Sequence, residues 1–162
     1  MIDLFIGVDP GASGGLAYYI SNGDKSFYGA FKCPKTAGKL YEAVFKIKEM
    51  VSSFNDSRLP CPYSVNCVME KVHSMPGQGV KSTFSFGKNL GWWESALESN
   101  RIPYQLVHPR KWQKHFDISS DNKKDRKKLL RQRAEELYPD VKMTYYVSDA
   151  VLIMDYCKAI YE

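Results

Sequence analysis

Near its start the chain reads Leu4-Phe5-Ile6-Gly7-Val8-Asp9, an apolar run that ends in an acid. It is followed by Pro10-Gly11-Ala12-Ser13-Gly14-Gly15, a segment rich in turn-forming residues. A short apolar run that contains β-branched residues and is bounded by turn residues is typical of a buried strand. We therefore predict that residues 4–9 form a buried central strand and that Asp9 lies where it ends.

The segments that follow alternate between strand-like and helix-like patterns. Asn22-Gly23-Asp24 separates two strand-like runs and predicts a hairpin turn. In residues 38–54 the apolar side chains recur every three or four positions, which is typical of a helix with one face on a sheet. The predicted strands are 4–9, 15–20, 26–33, 65–70 and 104–107, and the predicted helices are 38–54, 83–100, 123–137 and one that begins near residue 148. This order predicts one α/β domain over residues 1–162, with a mixed five-stranded sheet flanked by helices.

Length and composition fit one soluble globular domain. The chain has 162 residues, of which 44% are apolar and 25% charged, and these values are ordinary for such a domain. The chain has no run of about 18 apolar residues, the length that crosses a bilayer. Its N-terminus lacks the basic start of a secretory signal. We therefore expect a cytoplasmic protein with no membrane partner.

The cysteines argue against both a zinc site and a disulfide framework. They are Cys33, Cys61, Cys67 and Cys157. None is part of a Cys-x-x-Cys pair, and their neighbours are mostly apolar. We expect them to be buried reduced thiols.

Positive charge is concentrated in one segment of the chain. The net charge is +5, and residues 111–133 contain nine lysines and arginines. Such a run can be a solvated helix face. It can also bind the phosphates of a nucleic acid, because clustered cations release the counterions that surround the phosphate backbone. The charge pattern alone leaves both interpretations open.

Three carboxylates occupy the ends of predicted elements. Asp9 ends the first strand, Glu70 ends the fourth, and Asp149 opens the last helix. In a mixed sheet of this order the first and fourth strands are neighbours, and the last helix can bring Asp149 to the edge where both strands end. Taken singly, Asp9 could begin a turn and Asp149 could cap a helix. Together, crowded carboxylates need cations to neutralise them and favour Mg²⁺ or Mn²⁺, which predicts a two-metal site for phosphodiester hydrolysis.

Sequence motifs around these acids resemble those of a known nuclease family. The segment Gly7-Val8-Asp9-Pro10-Gly11-Ala12-Ser13-Gly14-Gly15-Leu16-Ala17 resembles the first motif of the RuvC-like Holliday junction resolvases. Residues 69–87, which begin Met69-Glu70-Lys71-Val72-His73, are similar to the second motif of the phage and organellar branch of that family. The segment Ser148-Asp149-Ala150-Val151-Leu152-Ile153 is close to the motif that opens the family's last helix. Residues 108–114 and 134–139 also fit in order and spacing, so the resemblance spans essentially the whole chain.

The resemblance implies a ribonuclease H-like nuclease that acts as a homodimer and resolves four-way junctions and other branched DNA. Asp9, Glu70 and Asp149 would be the catalytic residues and the ligands of two Mg²⁺ ions, for which Mn²⁺ can substitute, and the cuts would leave 5′-phosphate ends. Because no transit peptide precedes the first strand, we expect the protein to act in a phage- or virus-infected host cell.

The resemblance also indicates which residues contact DNA. The expected set combines a flexible loop, its neighbours and the basic segment, namely Lys71, Gly77, Gln78, Gly79, Lys81, Phe84, Lys111, Lys114, Lys123, Lys124, Arg126, Lys127 and Lys128. The family uses one or two lysines near the basic helix to hold the scissile phosphate. Lys124, Lys127 and Lys128 are the candidates, and the sequence does not choose between them.

The helix over residues 83–100 is the expected dimer contact. Phe86 and Trp93 fall on its core-facing side, which leaves Trp92 on another face as a candidate contact residue. Gly87 and Gly91 lie four residues apart and would let two helices approach closely.

One departure from the family pattern leaves a second function open. Family members usually place another His or Asp three to five residues before the final aspartate, whereas this chain has Thr144, Tyr145 and Tyr146 there. The alternative function is therefore that of a catalytically impaired or inactive protein that still binds branched DNA. A phosphotransferase with a similar core would need a second domain, for which 162 residues leave no room.

Overall fold

A computed structural model describes residues 1–54, 62–74, 77–118 and 120–162. The strands are β1 (Ile2–Asp9), β2 (Gly15–Ser21), β3 (Ser26–Lys32), β4 (Tyr63–Glu70) and β5 (Gln105–Val107). The helices are α1 (Ala37–Phe54), α2 (Val80–Ser99), α3 (Pro109–His115), α4 (Lys123–Leu137) and α5 (Ser148–Tyr161). Every predicted strand and helix is present, with ends that differ from the prediction by a few residues.

The strands form one mixed sheet in the order β3-β2-β1-β4-β5. β1 pairs antiparallel with β2 and parallel with β4, and β4 pairs parallel with β5. The predicted five-stranded mixed sheet is therefore confirmed, with β1 at its centre. Because Val8 pairs with Met69, the next residue of each strand is an acid, and both acids leave the sheet at the same edge.

Alternation along β1 divides the apolar side chains between two cores. Leu4, Ile6 and Val8 belong to the core that α1 and α2 cover on one face of the sheet. Phe5 belongs to the core on the other face, which α3, α4 and α5 cover. This alternation follows from the period of two in a strand, and it places the basic helix α4 on the opposite face of the sheet from α1.

A glycine sets how closely α5 approaches the sheet. A Cβ atom at Gly7 would collide with the backbone of Met154 and Ala150. Without a side chain at this position, α5 packs directly on β1, and eight of its residues are buried. Because Ala150 follows Asp149 and Gly7 lies two residues before Asp9, this contact brings the start of α5 to the end of β1.

One helix was missed by the sequence prediction, which placed nothing regular between the fifth strand and the basic helix. α3 has seven residues, too few to show an apolar period, and Trp112 is its one buried residue. Pro109 stands at its first turn, where the fixed φ of proline favours helix initiation.

The cysteines that the structure describes agree with the expectation of buried reduced thiols. Cys33, Cys67 and Cys157 are free and buried, whereas Cys61 lies outside the described residues. Within the described ranges, no helix combines the length and the apolar character that crossing a bilayer requires.

Candidate active site

Three largely buried acids meet at one edge of the sheet. Asp9 ends β1, Glu70 ends β4, and Asp149 lies in the first turn of α5. Burial raises the pKa of Asp9 well above its ordinary value, and the negative charges of Asp149 and Glu70 raise it further. The structure therefore brings together the three acids singled out in the sequence, and the charge of Asp149 makes the ionised forms of both Asp9 and Glu70 less favourable.

Glu70 is held by a buried tryptophan. The indole N–H of Trp112, a fully buried residue of α3, donates a hydrogen bond of 2.8 Å to Oε2 of Glu70. Burial raises the pKa of Glu70 to about 7, and this hydrogen bond opposes the rise. At neutral pH and without a cation, Glu70 is therefore protonated in a sizeable fraction of molecules.

Lys127 of α4 is the cation that acts on all three acids. Its positive charge lowers the pKa of Asp9, Glu70 and Asp149, against the effect of burial. The sequence alone does not distinguish Lys127 from Lys124 and Lys128 as the lysine that holds the scissile phosphate. The structure distinguishes it, because the side of α4 that carries Lys127 lies beside the acids.

A cavity opens in front of the first acid. Its volume is about 320 Å³, and it is lined by the turn that follows β1, by one side of α2 and by Lys127; the lining includes Asp9, Gly11, Ser82, Ser85, Phe86 and Asn89. Gly11 adopts a φ of 127°, a conformation that side chains rarely allow. The turn rich in glycine therefore shapes the wall of the cavity next to Asp9.

Two solved structures share this architecture. RuvC from Thermus thermophilus in complex with a Holliday junction substrate superposes with a TM-score of 0.58 at 13% identity, covering 95% of this chain and 90% of that chain. A second Thermus thermophilus RuvC structure gives a TM-score of 0.56 at 14% identity, covering 95% of this chain and 91% of that chain. The fold is RuvC-like. The predicted ribonuclease H-like class is thereby confirmed.

Sequence comparison adds no finer assignment. No protein-family model matches the chain, and no curated protein matches it. The identity to the two RuvC structures is 13–14%, which supports the RuvC-like fold but not membership of the phage and organellar branch. That branch remains a prediction.

The donor set formed by the three acids is chemically suited to hard cations. Carboxylate oxygens are the ligands that Mg²⁺ and Mn²⁺ prefer, and a cation would relieve the repulsion that raises the pKa of Asp9. Oε2 of Glu70 accepts the bond from Trp112, and the carboxylate keeps further lone pairs that could bind a metal. Among the residues that the structure describes, no three ligating side chains already form a coordination shell.

Thr144, Tyr145 and Tyr146, which lie three to five residues before Asp149, take other partners. The carbonyl of Thr144 accepts hydrogen bonds from the N–H groups of Val147 and Ser148, at 3.2 and 3.0 Å, and so shapes the turn into α5. The ring of Tyr145 lies 4.7 Å from the guanidinium of Arg131, and the ring of Tyr146 lies 3.7 Å from Nζ of Lys32. Two of these three residues are thus aromatic side chains packed against cations of β3 and α4.

The remaining DNA-binding candidates are distributed over several elements of the fold. The loop residues Gly77, Gln78 and Gly79 are exposed, as are Lys71 after β4 and Lys81 and Phe84 at the start of α2. Met75 and Pro76 of the same motif lie outside the described residues. The basic segment divides between α3, with Lys111 and Lys114 exposed, and α4, with Lys123, Lys124, Lys127 and Lys128 exposed and Arg126 half-buried.

Two cations of the basic segment are engaged on their own helix. Arg131 pairs with Glu135 at 2.9 Å, and Arg133 pairs with Glu136 at 3.3 Å. Neither belonged to the expected DNA-binding set. The lysines before them on α3 and α4 form the more available cationic surface.

Trp112 is the residue near the acids whose role the sequence analysis missed. A buried indole N–H usually finds a hydrogen-bond acceptor, so a tryptophan within a basic segment is a usable signal. Its acceptor lies 42 residues earlier in the chain. Local sequence patterns do not reveal a pair so far apart.

The raised pKa values make the metal-free protein less stable as pH rises. Glu70 moves from an ordinary value of 4.5 to about 7, so between these pH values the folded protein binds more protons than the unfolded chain, and stability falls through this window. We expect Glu70→Gln to raise the free energy of unfolding at pH 8 in EDTA by about 1–3 kcal/mol. Urea denaturation at pH 5 and pH 8 measures this, with Glu42→Gln on the exposed side of α1 as the control. Equal gains at both pH values would contradict it.

Proposed function

We propose that this protein is a metal-dependent endonuclease that cuts branched DNA, with Holliday junctions as the principal substrate, in DNA recombination and repair. The observation that carries the proposal is the meeting of Asp9, Glu70 and Asp149, from three separate elements, beside Lys127 at one edge of a RuvC-like sheet. One of the two RuvC structures of the same fold is bound to a Holliday junction substrate. The basic surface of α3 and α4 supports nucleic acid as the partner.

The residues of the site would have different roles in phosphodiester hydrolysis. Asp9, Glu70 and Asp149 would hold Mg²⁺ or Mn²⁺, and a pair of such ions would supply an activated water and neutralise charge on the leaving oxygen. Trp112 fixes the orientation of Glu70 through its 2.8 Å bond. Lys127 pairs with an oxygen of the scissile phosphate. The bond from phosphorus to the 3′ oxygen breaks, a water oxygen joins phosphorus, and the products carry 5′-phosphate and 3′-hydroxyl ends.

A nicking assay tests the proposal directly. A synthetic four-way junction and a linear duplex of the same sequence are incubated with Mg²⁺ or Mn²⁺, and a gel shift of both in EDTA measures binding. We expect symmetric cuts in the junction, 5′-phosphate ends that a ligase seals, and little cutting of the duplex. Absence of junction cutting in both metals would overturn the proposed endonuclease function.

A second candidate function is binding of branched DNA without efficient cutting. It is favoured by Thr144, Tyr145 and Tyr146, because the position of the family's additional His or Asp ligand holds no strong metal ligand and both tyrosine rings lie against cations. The same assay separates the two functions. A junction-selective gel shift without nicks in either metal would identify the binder.

We also propose that the protein acts as a homodimer through the outer face of α2. Val80 and Phe84 are 88% and 73% exposed there, and Gly87 and Gly91 continue the same face without a neighbour near their Cβ positions. Trp92, the earlier candidate, is half-buried and packs on the core instead. Two copies related by a two-fold axis would present two matching sites to the two symmetric strands of a junction.

Gly91→Glu tests this dimer without harming the subunit. Glutamate favours a helix over glycine by about 1 kcal/mol, and the space around Gly91 is open, so the monomer should fold at least as well as the wild type. We expect light scattering to report about twice the 18.6 kDa chain mass for the wild type and for Gly91→Ala, and the single mass for Gly91→Glu. A wild-type monomer at micromolar concentration that still cuts both strands in one encounter would contradict the dimer.

Trp112→Phe should weaken metal binding while leaving the fold intact. The substitution keeps an aromatic ring in the core and removes the N–H that orients Glu70. Removing such a supporting bond costs about tenfold or more in metal affinity, which calorimetric titration with Mn²⁺ measures. Trp93→Phe is the matched control, because Trp93 is equally buried and its N–H has no partner among the described residues. Equal Mn²⁺ affinity in the two variants would contradict a positioning role for Trp112.

A further inference from the structure

We propose that a groove beside the acids binds an unpaired nucleobase with its flanking phosphates, and that Tyr145 is the surface on which the base stacks. The groove is lined by Asn122, Lys123, Lys124, Lys127 and Tyr145 and has a volume of about 610 Å³. The proposal deepens the proposed function, since it names a feature of the DNA that the site would recognise. The proposed function supplies the DNA strand that would enter the groove, whereas the groove itself is a feature of the structure.

The groove and the cavity of the candidate active site share a lining residue. Lys127 lines it and also lines the cavity in front of Asp9. A third cavity, of about 320 Å³, is lined by Lys127 and Tyr145 together with Tyr146. A DNA strand with one phosphate at Lys127 would therefore place a neighbouring nucleotide at Tyr145.

Tyr145 is an exposed aromatic side chain that is held in place. Its side chain is 49% exposed, whereas Tyr138 and Tyr156, which pack in the core, are each 5% exposed. The guanidinium of Arg131 lies 4.7 Å from the ring of Tyr145, and Arg131 is itself fixed by Glu135 and by the carbonyl of Met143. Because the ring position is set before a ligand arrives, stacking on it loses little conformational entropy.

The chemistry of the lining identifies the ligand. Three lysine side chains attract phosphates, and an aromatic ring among them stacks on a base, which is the combination that binds single-stranded nucleic acid. The oxygen of the one side-chain amide in the groove is committed elsewhere, since Oδ1 of Asn122 caps α4 by accepting from the N–H of Lys124 at 2.9 Å. The groove therefore offers mainly stacking and charge, and binding should tolerate any sequence.

An unpaired base is the form of DNA that fits this lining. A base inside a duplex has both faces covered by its neighbours, and removing it from the stack costs the least where pairing is already broken. A branch point or a single strand supplies such a base. The groove would thus favour a branch over a continuous duplex by capturing a base beside the phosphate that is cut.

Binding of a single-stranded oligothymidine that carries one 2-aminopurine tests the groove separately from cleavage. Fluorescence anisotropy in EDTA measures affinity, and the emission of 2-aminopurine reports stacking on an aromatic ring. The variants are Tyr145→Leu, which removes the ring, and Tyr145→Phe, which keeps it. The matched control is Tyr41→Leu on α1, an exposed tyrosine that stacks on Phe45 on the opposite face of the sheet. Thermal unfolding of each variant verifies the fold.

We expect Tyr145→Leu to weaken oligothymidine binding by about tenfold and to abolish the change in 2-aminopurine emission. Tyr145→Phe and Tyr41→Leu should behave like the wild type. Wild-type affinity and emission in Tyr145→Leu, or no binding of the oligonucleotide by the wild type, would overturn the groove. Tyr145-dependent binding in a protein that cuts no junction would support the groove and overturn the endonuclease function. Junction cutting without Tyr145-dependent binding would support the endonuclease function and overturn the groove.

Discussion

Asp9→Asn and Glu70→Gln should each reduce junction cleavage by about a thousandfold or more while leaving junction binding intact. Both acids end neighbouring strands and, with Asp149, form the only carboxylate group that the proposed mechanism uses to hold metal. Charge stabilisation by a bound cation is worth several kcal/mol in the transition state, and each 1.4 kcal/mol is a tenfold change in rate. Single-turnover cleavage of a labelled four-way junction in Mg²⁺ measures the loss.

The same two variants should bind the junction at least as tightly as the wild type in EDTA. Each substitution removes a negative charge from a site that must accept a phosphate, so repulsion between protein and DNA falls. Asp3→Asn is the matched control, because Asp3 lies near the opposite end of β1 and accepts a hydrogen bond from Ser64 that asparagine can also accept. Cleavage at the wild-type rate by Asp9→Asn or Glu70→Gln would remove the basis of the assignment.

Junction affinity should fall by about a thousandfold between 50 and 200 mM salt. α3 and α4 expose six lysines, which are Lys111, Lys114, Lys123, Lys124, Lys127 and Lys128. A protein that contacts about six phosphates loses close to three orders of magnitude in affinity over this range, because counterions released from DNA oppose binding as salt rises. A gel shift or anisotropy titration in EDTA gives the slope of log affinity against log salt.

Substitution of two lysines of α4 tests how much this helix contributes to the slope of log affinity against log salt. Lys124→Gln combined with Lys128→Gln removes two cations from adjacent turns and leaves Lys127 beside the acids, and it should lower the slope by about 2. The control pair is Lys39→Gln with Lys46→Gln, exposed on α1 across the sheet. An affinity that does not depend on salt, or the same slope in the α4 variant, would mean that the basic segment is only a solvated helix face.

Much of the site could be predicted because its acids follow strong local patterns. Asp9 and Glu70 each end an apolar run, and the strand order predicted from the sequence makes those runs neighbours in the sheet. Asp149 opens a helix with an evident apolar face. For these residues, the apolar period identifies the strand or helix, and the place where the period starts or stops locates the acid.

The parts of the site that could not be predicted depend on distances through space. Lys124, Lys127 and Lys128 occupy little more than one turn of α4, so only the rotation of that helix against α5 places Lys127 beside the acids. The bond from Trp112 to Glu70 joins α3, a helix too short to show a period, to a distant strand. The partners of Tyr145 and Tyr146 likewise come from α4 and β3.

The close contact between Gly7 and α5 affects how mutational data on this protein must be interpreted. Any side chain at position 7 displaces Ala150 and Met154, and with them the carboxylate of Asp149. A scan that scores cleavage alone would rank Gly7 beside Asp9, although glycine holds no metal and moves no proton. Yield of soluble protein would distinguish the two positions, because Gly7→Ala strains the packing of a whole helix, whereas Asp9→Asn removes a repulsion and leaves that packing in place.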